Sequence, residues 1–117
     1  MSTLLEDLFA VLSPLAAGGA HPLVNETQDP IYPYIVFTRI TSPYNVTLQG
    51  SSDLQNTRVQ IDVFSRQMAE ADAIADSISA AFDASSIVHV PIDSRDSYEA
   101  AVRCYRVSLD FSIWAKN

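Results

Sequence analysis

The chain has 117 residues, of which 48% are hydrophobic and 18% charged. That length and balance fit one packed domain over residues 1–117 and exclude both a disordered chain and one that needs disulfides or a metal to fold. Seven basic residues stand against fourteen acidic ones, for a formal net charge of −7, and their scatter excludes a protein that reads nucleic acid through its phosphates.

Leu4, Leu5, Leu8, Val11, Leu12 and Leu15 recur at three- and four-residue spacing and predict a helix over about 3–16, capped by Ser2 or Thr3. Pro14 ends or frays it near Ser13. Glu6 and Asp7 interrupt the apolar stretch and no basic residue precedes it, so this segment reads as a helix rather than a signal peptide. No apolar run approaches the roughly 18 residues of a membrane span, and the chain reads as soluble and intracellular. Gly18 and Gly19 then lead into an expected loop holding His21, Pro22, Asp29 and Pro30.

Tyr34 to Thr41, all but one β-branched or aromatic and bounded by Pro33 and Pro43, predicts a strand. Residues 42–56 are rich in turn formers and read as a long connection, or as two strand ends with a mobile tip. From Thr57 to Phe64, Val59, Ile61 and Val63 alternate with Arg58, Gln60 and Asp62, the mark of a half-exposed antiparallel strand. Residues 67–84 carry Met68, Ala71, Ile74, Ala75, Ile78, Ala81 and Phe82 on one helical stripe. A short edge strand follows over 86–90, ended by Pro91, and residues 92–101 read as an acidic loop around Arg95. The last strand, about 102–114, puts Tyr105, Val107, Leu109, Phe111 and Ile113 on one face and Arg106, Ser108, Asp110, Ser112 and Trp114 on the other. The fold expected is α+β: a two-layer sandwich in the order α-β-β-α-β-β, with a four-stranded, mostly antiparallel sheet and two helices on one face. Ile61, Val63, Ile74, Ile78, Phe82, Val107, Leu109 and Phe111 are expected in its core.

Chemistry is sparse. His89 with Ser86 or Asp93 lies within one short strand and turn, where neighbours point to opposite faces and do not converge into a triad. The three glycines, at 18, 19 and 50, make no phosphate loop. Asp93 and Asp96 around Arg95 read as a solvated ion pair or, less simply, as a cation site. The lone Cys104 excludes an internal disulfide or a cysteine-rich zinc site and fits a reducing compartment. No cofactor is expected. The polar strand faces, with Trp114 at one end, read either as an ordinary wet surface or as a contact between copies.

Three segments together carry a resemblance: Pro33–Phe37, then Arg58–Phe64 running into the alanine-rich helix at 68–82, and Tyr105–Trp114. In this order and spacing the chain resembles the tail completion, or tail-to-head joining, proteins of long-tailed bacteriophages. The resemblance implies a non-enzymatic virion protein with a tail-terminator fold. Such a protein assembles in the host cytoplasm as a homohexameric ring that caps the tail tube, docks it to the head-tail connector or stopper, and lets DNA pass. No membrane partner is implied. Within that frame, Tyr44, Leu48, Leu54, Arg58, Arg106 and Trp114 are the expected contacts with a neighbouring subunit or the tail tube. The loop from Ser42 to Gln55 reads either as a docking element or as a hairpin packed on its own domain. Some of Asp53, Asp62, Asp93, Asp96 and Asp110 are expected to line the channel, the alternative being that the acidity serves solubility. A reading of another class, a small-molecule-binding or enzymatic domain with a pocket between helices and sheet, lacks convergent polar residues in the apolar stripes.

Overall fold

The chain folds around a five-stranded mixed sheet packed on two helices. The structure, a computed structural model, describes residues 4–22, 30–41, 54–85 and 87–116, and of these the side chains of 4–5, 41, 54–56 and 115–116 are left out. Helix α1 spans Leu4–Leu12 and gives way at Ser13–Leu15 to one turn of 3-10 helix, where Pro14 no longer needs to donate an amide hydrogen. Strands β1 (Ala20–Pro22), β2 (Tyr34–Thr41) and β3 (Leu54–Ser65) follow, then α2 (Met68–Ala84), β4 (Val88–Glu99) and β5 (Cys104–Lys116). The sheet order is β1-β2-β3-β5-β4, with β1 parallel to β2 and every other pair antiparallel.

This corrects the expected four-stranded, mostly antiparallel sheet in α-β-β-α-β-β order. The observed order is α-β-β-β-α-β-β, because the segment read as a loop after Gly19 supplies a short edge strand. Its cause is local. Gly19 sits at φ +77°, its carbonyl accepts from the Ile35 amide at 3.0 Å, and the Gly18 amide donates to the Pro33 carbonyl at 2.7 Å. The two glycines let Ala20 settle beside Ile35, and Pro22 costs the ladder little on an outer strand.

The expected acidic loop at 92–101 is also strand. β4 runs on to Glu99 and pairs with β5 from Val88↔Trp114 to Glu99↔Cys104, with a register shift between Pro91 and Asp93 that leaves Ile92 as the extra residue. Pro91 is tolerated because β4 is the outer strand. The hairpin turns at Ala100–Arg103, where Arg103 takes φ +53°, so β5 begins at Cys104 rather than at 102.

Packing follows the periodicity. Val59, Ile61 and Val63 of β3 face Phe111, Leu109 and Val107 of β5. All eight residues expected in the core are buried, joined by Leu8 and Leu12 of α1 and by Ile35 and Phe37 of β2. At the start of α2, Ser65 Oγ accepts from the Gln67 amide at 3.1 Å and donates to Glu70 at 2.6 Å, tying β3 to the helix. Phe82 closes the other end, edge-on to Phe111 with ring centroids 5.1 Å apart.

A Cβ at Gly18 would lie 1.9 Å from the Ile31 carbonyl oxygen and 2.9 Å from that of Pro33. Both are backbone atoms, so the chain itself must shift. Gly18→Ala is therefore expected to cost about 1–3 kcal/mol in denaturant unfolding, as overpacking does. An unchanged midpoint would show that β1 is not held by this approach.

Candidate functional site

Alternation sends every second residue of β3, β4 and β5 to the sheet face opposite the helices, and there the register brings charges together. Asp62 stands across from Ser108, Gln60 across from Asp110, and Arg95 across from Ser108 on the other side. Asp62 is only 5% exposed and Asp110 only 4%. Each is covered by arginine.

The Asp62 carboxylate accepts from Gln60 Nε2 at 3.0 and 3.1 Å, from Arg106 Nε at 3.3 Å, and from the Ser108 hydroxyl. Asp110 Oδ2 accepts from Arg58 at 2.9 Å and from Arg95 at 3.5 Å. Its Oδ1 is buried and meets no donor among the described residues. Arg95 also holds Asp93 at 2.6 Å, and Arg106 reaches Glu99 at 3.3 Å. Partial burial works against the Arg106 charge, but Asp62 and then Glu99 outweigh it and raise its pKa further. Arg95 is raised by its bond to Asp93 and by the charge of Asp110. The network is a two-sign surface, three arginines paired with four carboxylates within the subunit.

Aromatic rings continue the face toward β2. The Arg106 guanidinium lies 5.7 Å from the Phe64 ring centre, Phe64 stacks on Tyr34 at 4.9 Å, and Tyr34 leans on Tyr32 at 5.2 Å. Arg66 lies over Tyr32 at 4.4 Å. Burial first, and Tyr32 beside it, push the Tyr34 phenol up to about 12.

The site residues expected from sequence fall into three groups. Arg58, Arg106, Asp62, Asp93 and Asp110 share the polar face, and Trp114 stands at its end, paired with Val88. Asp96 pairs in register with Val107 and so lies on the helix-side face, away from Asp93. Tyr44, Leu48 and Asp53 lie outside the described residues, and for Leu54 only the backbone, paired with Lys116, is described. The split of Asp93 from Asp96 removes the geometry of a shared cation site, and no group of metal-ligating residues occurs among the described residues.

Among the described residues, neither histidine sits in a catalytic arrangement. His21 on β1 and His89 on β4 occupy opposite edges of the sheet. His21 Nε2 donates to the Gly18 carbonyl at 2.9 Å. His89 faces the Ile87 carbonyl at 3.0 Å and Asp83 at 3.1 Å, while Asp93 is on the other sheet face. Ser86 is outside the described residues. Cys104 is buried, and desolvation raises its thiol pKa. No helix among the described residues is long and apolar enough to cross a membrane.

Sequence reasoning named no residues for two surfaces, although its alternative reading did expect a pocket between helices and sheet. A groove of about 760 Å3 separates α2 from β4, and a smaller hollow of about 410 Å3 lies beside the β4–β5 turn at Arg66 and Arg103. The exposed Ile92 lips the first and the exposed Val102 the second.

A family model described as "Tail completion protein gp17" matches residues 6–116. No match was found among curated protein sequences. Among solved structures, a crystal structure of a protein from Akkermansia muciniphila aligns at TM-score 0.45 and 10% identity, over 72% of this chain. The chain spans only 41% of that protein, and a likeness so slight carries no argument.

Two outcomes are expected of this face. Arg106→Ala strips a charged partner from the buried Asp62 and is expected to cost about 1.5–3 kcal/mol, with part recovered by adding Asp62→Asn. Strictly additive losses would show that the pair does not interact. For Tyr34, the folded chain holds the phenol proton above pH 10, where the unfolded chain releases it. Stability is then full below pH 10 and lost as pH climbs toward 12, and Tyr34→Phe removes that slope. Absorbance titration is expected to show one of the five tyrosines ionising near 12, and five ionising together near 10 would refute it.

Proposed function

The chain belongs to the tail completion protein gp17 family, and on that footing we propose that it forms a ring closing the phage tail tube and joining it to the head. Membership over residues 6–116 makes it a structural component of a phage tail, in contact with other virion parts. The finer reading adds six copies, a place at the tail-head junction, and contacts to a tube protein below and a connector or stopper above.

The observation that carries this reading beyond membership is the sheet's second face. Both helices pack with one face of the sheet, and the other presents a Ser/Arg/Asp surface with arginines still 32–52% exposed. Such a face is soluble alone and can exchange arginine contacts with a partner. Arg58, Arg106 and Trp114 are its proposed contacts. Tyr44, Leu48 and Leu54 extend the contact through the segment Ser42–Gln55, for which new amide protection on assembly is the measurement.

Particles assembled without this protein are expected to separate into heads and tails of uncontrolled length in negative stain. Joined particles with tails of normal length would end the reading.

DNA passing a ring of such subunits meets six chains of charge −7 each. An acidic wall repels phosphates over about 8 Å at physiological salt, which keeps passing DNA from sticking. Some of Asp53, Asp62, Asp93, Asp96 and Asp110 remain the proposed sources of that wall. Since Asp62 and Asp110 are locked under arginines in the subunit, the test uses the exposed Asp93 and Asp96. Asp93→Lys with Asp96→Lys is expected to slow DNA ejection, by less as salt rises. Wild-type ejection at low salt would leave the wall without a role in passage.

A further inference from the structure

Two uncovered surfaces of the chain are opposite in charge. The groove between α2 and β4 has Leu109 and Phe111 in its floor, Asp72 and Asp76 on the helix wall, and Ile92 and Asp93 on the strand lip. Asp72 and Asp76 make it acidic, with no lysine or arginine in the lining, while the Asp93 carboxylate turns to the far sheet face to meet Arg95. The register shift after Pro91 opens it, because the extra residue Ile92 has no partner on β5 and stands 48% exposed at the rim.

The hollow at the β4–β5 turn has the reverse chemistry. Its lining includes Arg66, Val102 and Arg103 and no acidic residue. Arg66 is fixed there, stacked on Tyr32 and donating to the carbonyls of Val102 and Arg103 at 2.8 and 3.2 Å. The turn thus projects Val102, 49% exposed, beside an Arg103 that has no carboxylate partner among the described residues. Ile31, 65% exposed, adds to the same apolar end of the subunit.

We propose that the acidic groove of one subunit receives the basic hairpin end of a second copy of this chain, with Val102 seated against Ile92 and Arg103 against Asp72 and Asp76. Charge complementarity chooses the occupant: a basic, apolar-tipped segment suits the groove, and every copy of the chain carries one. The surfaces are different parts of the subunit, so the contact is heterologous and repeats from copy to copy until it closes. This rests on the ring reading above and adds to it which surfaces meet.

The test uses tails assembled with an Ile92→Cys, Val102→Cys variant, treated with a short bismaleimide and resolved on a denaturing gel. Native Cys104 is buried, so the unsubstituted protein is the control without cross-links. The expected result is a ladder of multimers up to the full ring, absent from either single-cysteine variant. A ladder that stops at two copies, or none although the variant is on the tails, overturns the pairing and leaves the tail role standing. Unsubstituted protein absent from tails refutes the tail role itself, and the pairing with it.

Charge reversal covers a cysteine variant that fails to fold or assemble. Asp76→Lys and Arg103→Glu are each expected to lower the protein recovered on tails about tenfold, and their combination to restore it. Single variants recovered as well as the wild type, or a combination no better than either, would point to a different basic partner in the groove and overturn the proposal.

Discussion

The pairing of β3 with β5 is the constraint on which the other elements depend, because one register sets two unlike surfaces at once. Val59, Ile61 and Val63 meet Phe111, Leu109 and Val107 under the helices, while Asp62 and Gln60 meet Ser108 and Asp110 on the far side. Slipping β3 by one residue would drive Asp62 into the apolar layer and turn Val59, Ile61 and Val63 out. Each face thereby forbids the alternatives of the other. The ionic face need not add much net stability to do this, since pairing two buried charges roughly balances the cost of desolvating them. Its contribution is to make the wrong alignments expensive.

The same physics explains what could be read from the sequence. β3, β5 and α2 were legible because each turns apolar side chains to one side only, and the alternation of Val59, Ile61 and Val63 or the stripe Ala71, Ile74, Ile78, Phe82 records that directly. β4 left no such trace. Ten of its twelve residues are exposed and only His89 and Glu99 are half-buried, so no face selects apolar residues and Pro91 masquerades as a terminus. β1 is three residues long and held by what Gly18 and Gly19 permit, not by side chains of its own. Strands that exist because a neighbour offers a ladder are invisible to periodicity.

The candidate site shows the same division. That Arg58, Gln60 and Asp62 share a face with Arg106, Ser108 and Asp110 follows from alternation alone. Which arginine covers which aspartate does not, for Arg58 reaches Asp110 and Arg106 reaches Asp62, partners 52 and 44 positions apart in sequence. Arg95 joins them only because β4 continues past its bulge. The groove beside α2 was likewise hidden, since it exists where a bulge displaces Ile92, and a bulge has no composition of its own.

The outer edge of β4 bears on how subunits can meet. A twelve-residue edge strand is a template for pairing with another chain, and such edges are usually blunted by proline, charge or a bulge. β4 carries all three: Pro91, the shift before Asp93, and the run Asp93, Arg95, Asp96. Open-ended strand addition is thereby disfavoured, which suits a subunit that has to stop at a finite assembly. What the edge gives up in backbone pairing it leaves to side chains, in the groove on its helix side and the arginine-covered face on the other. Contacts of that kind depend on charge and shape matching at a few positions. They hold two copies in one orientation, whereas a bare strand edge would accept any other strand.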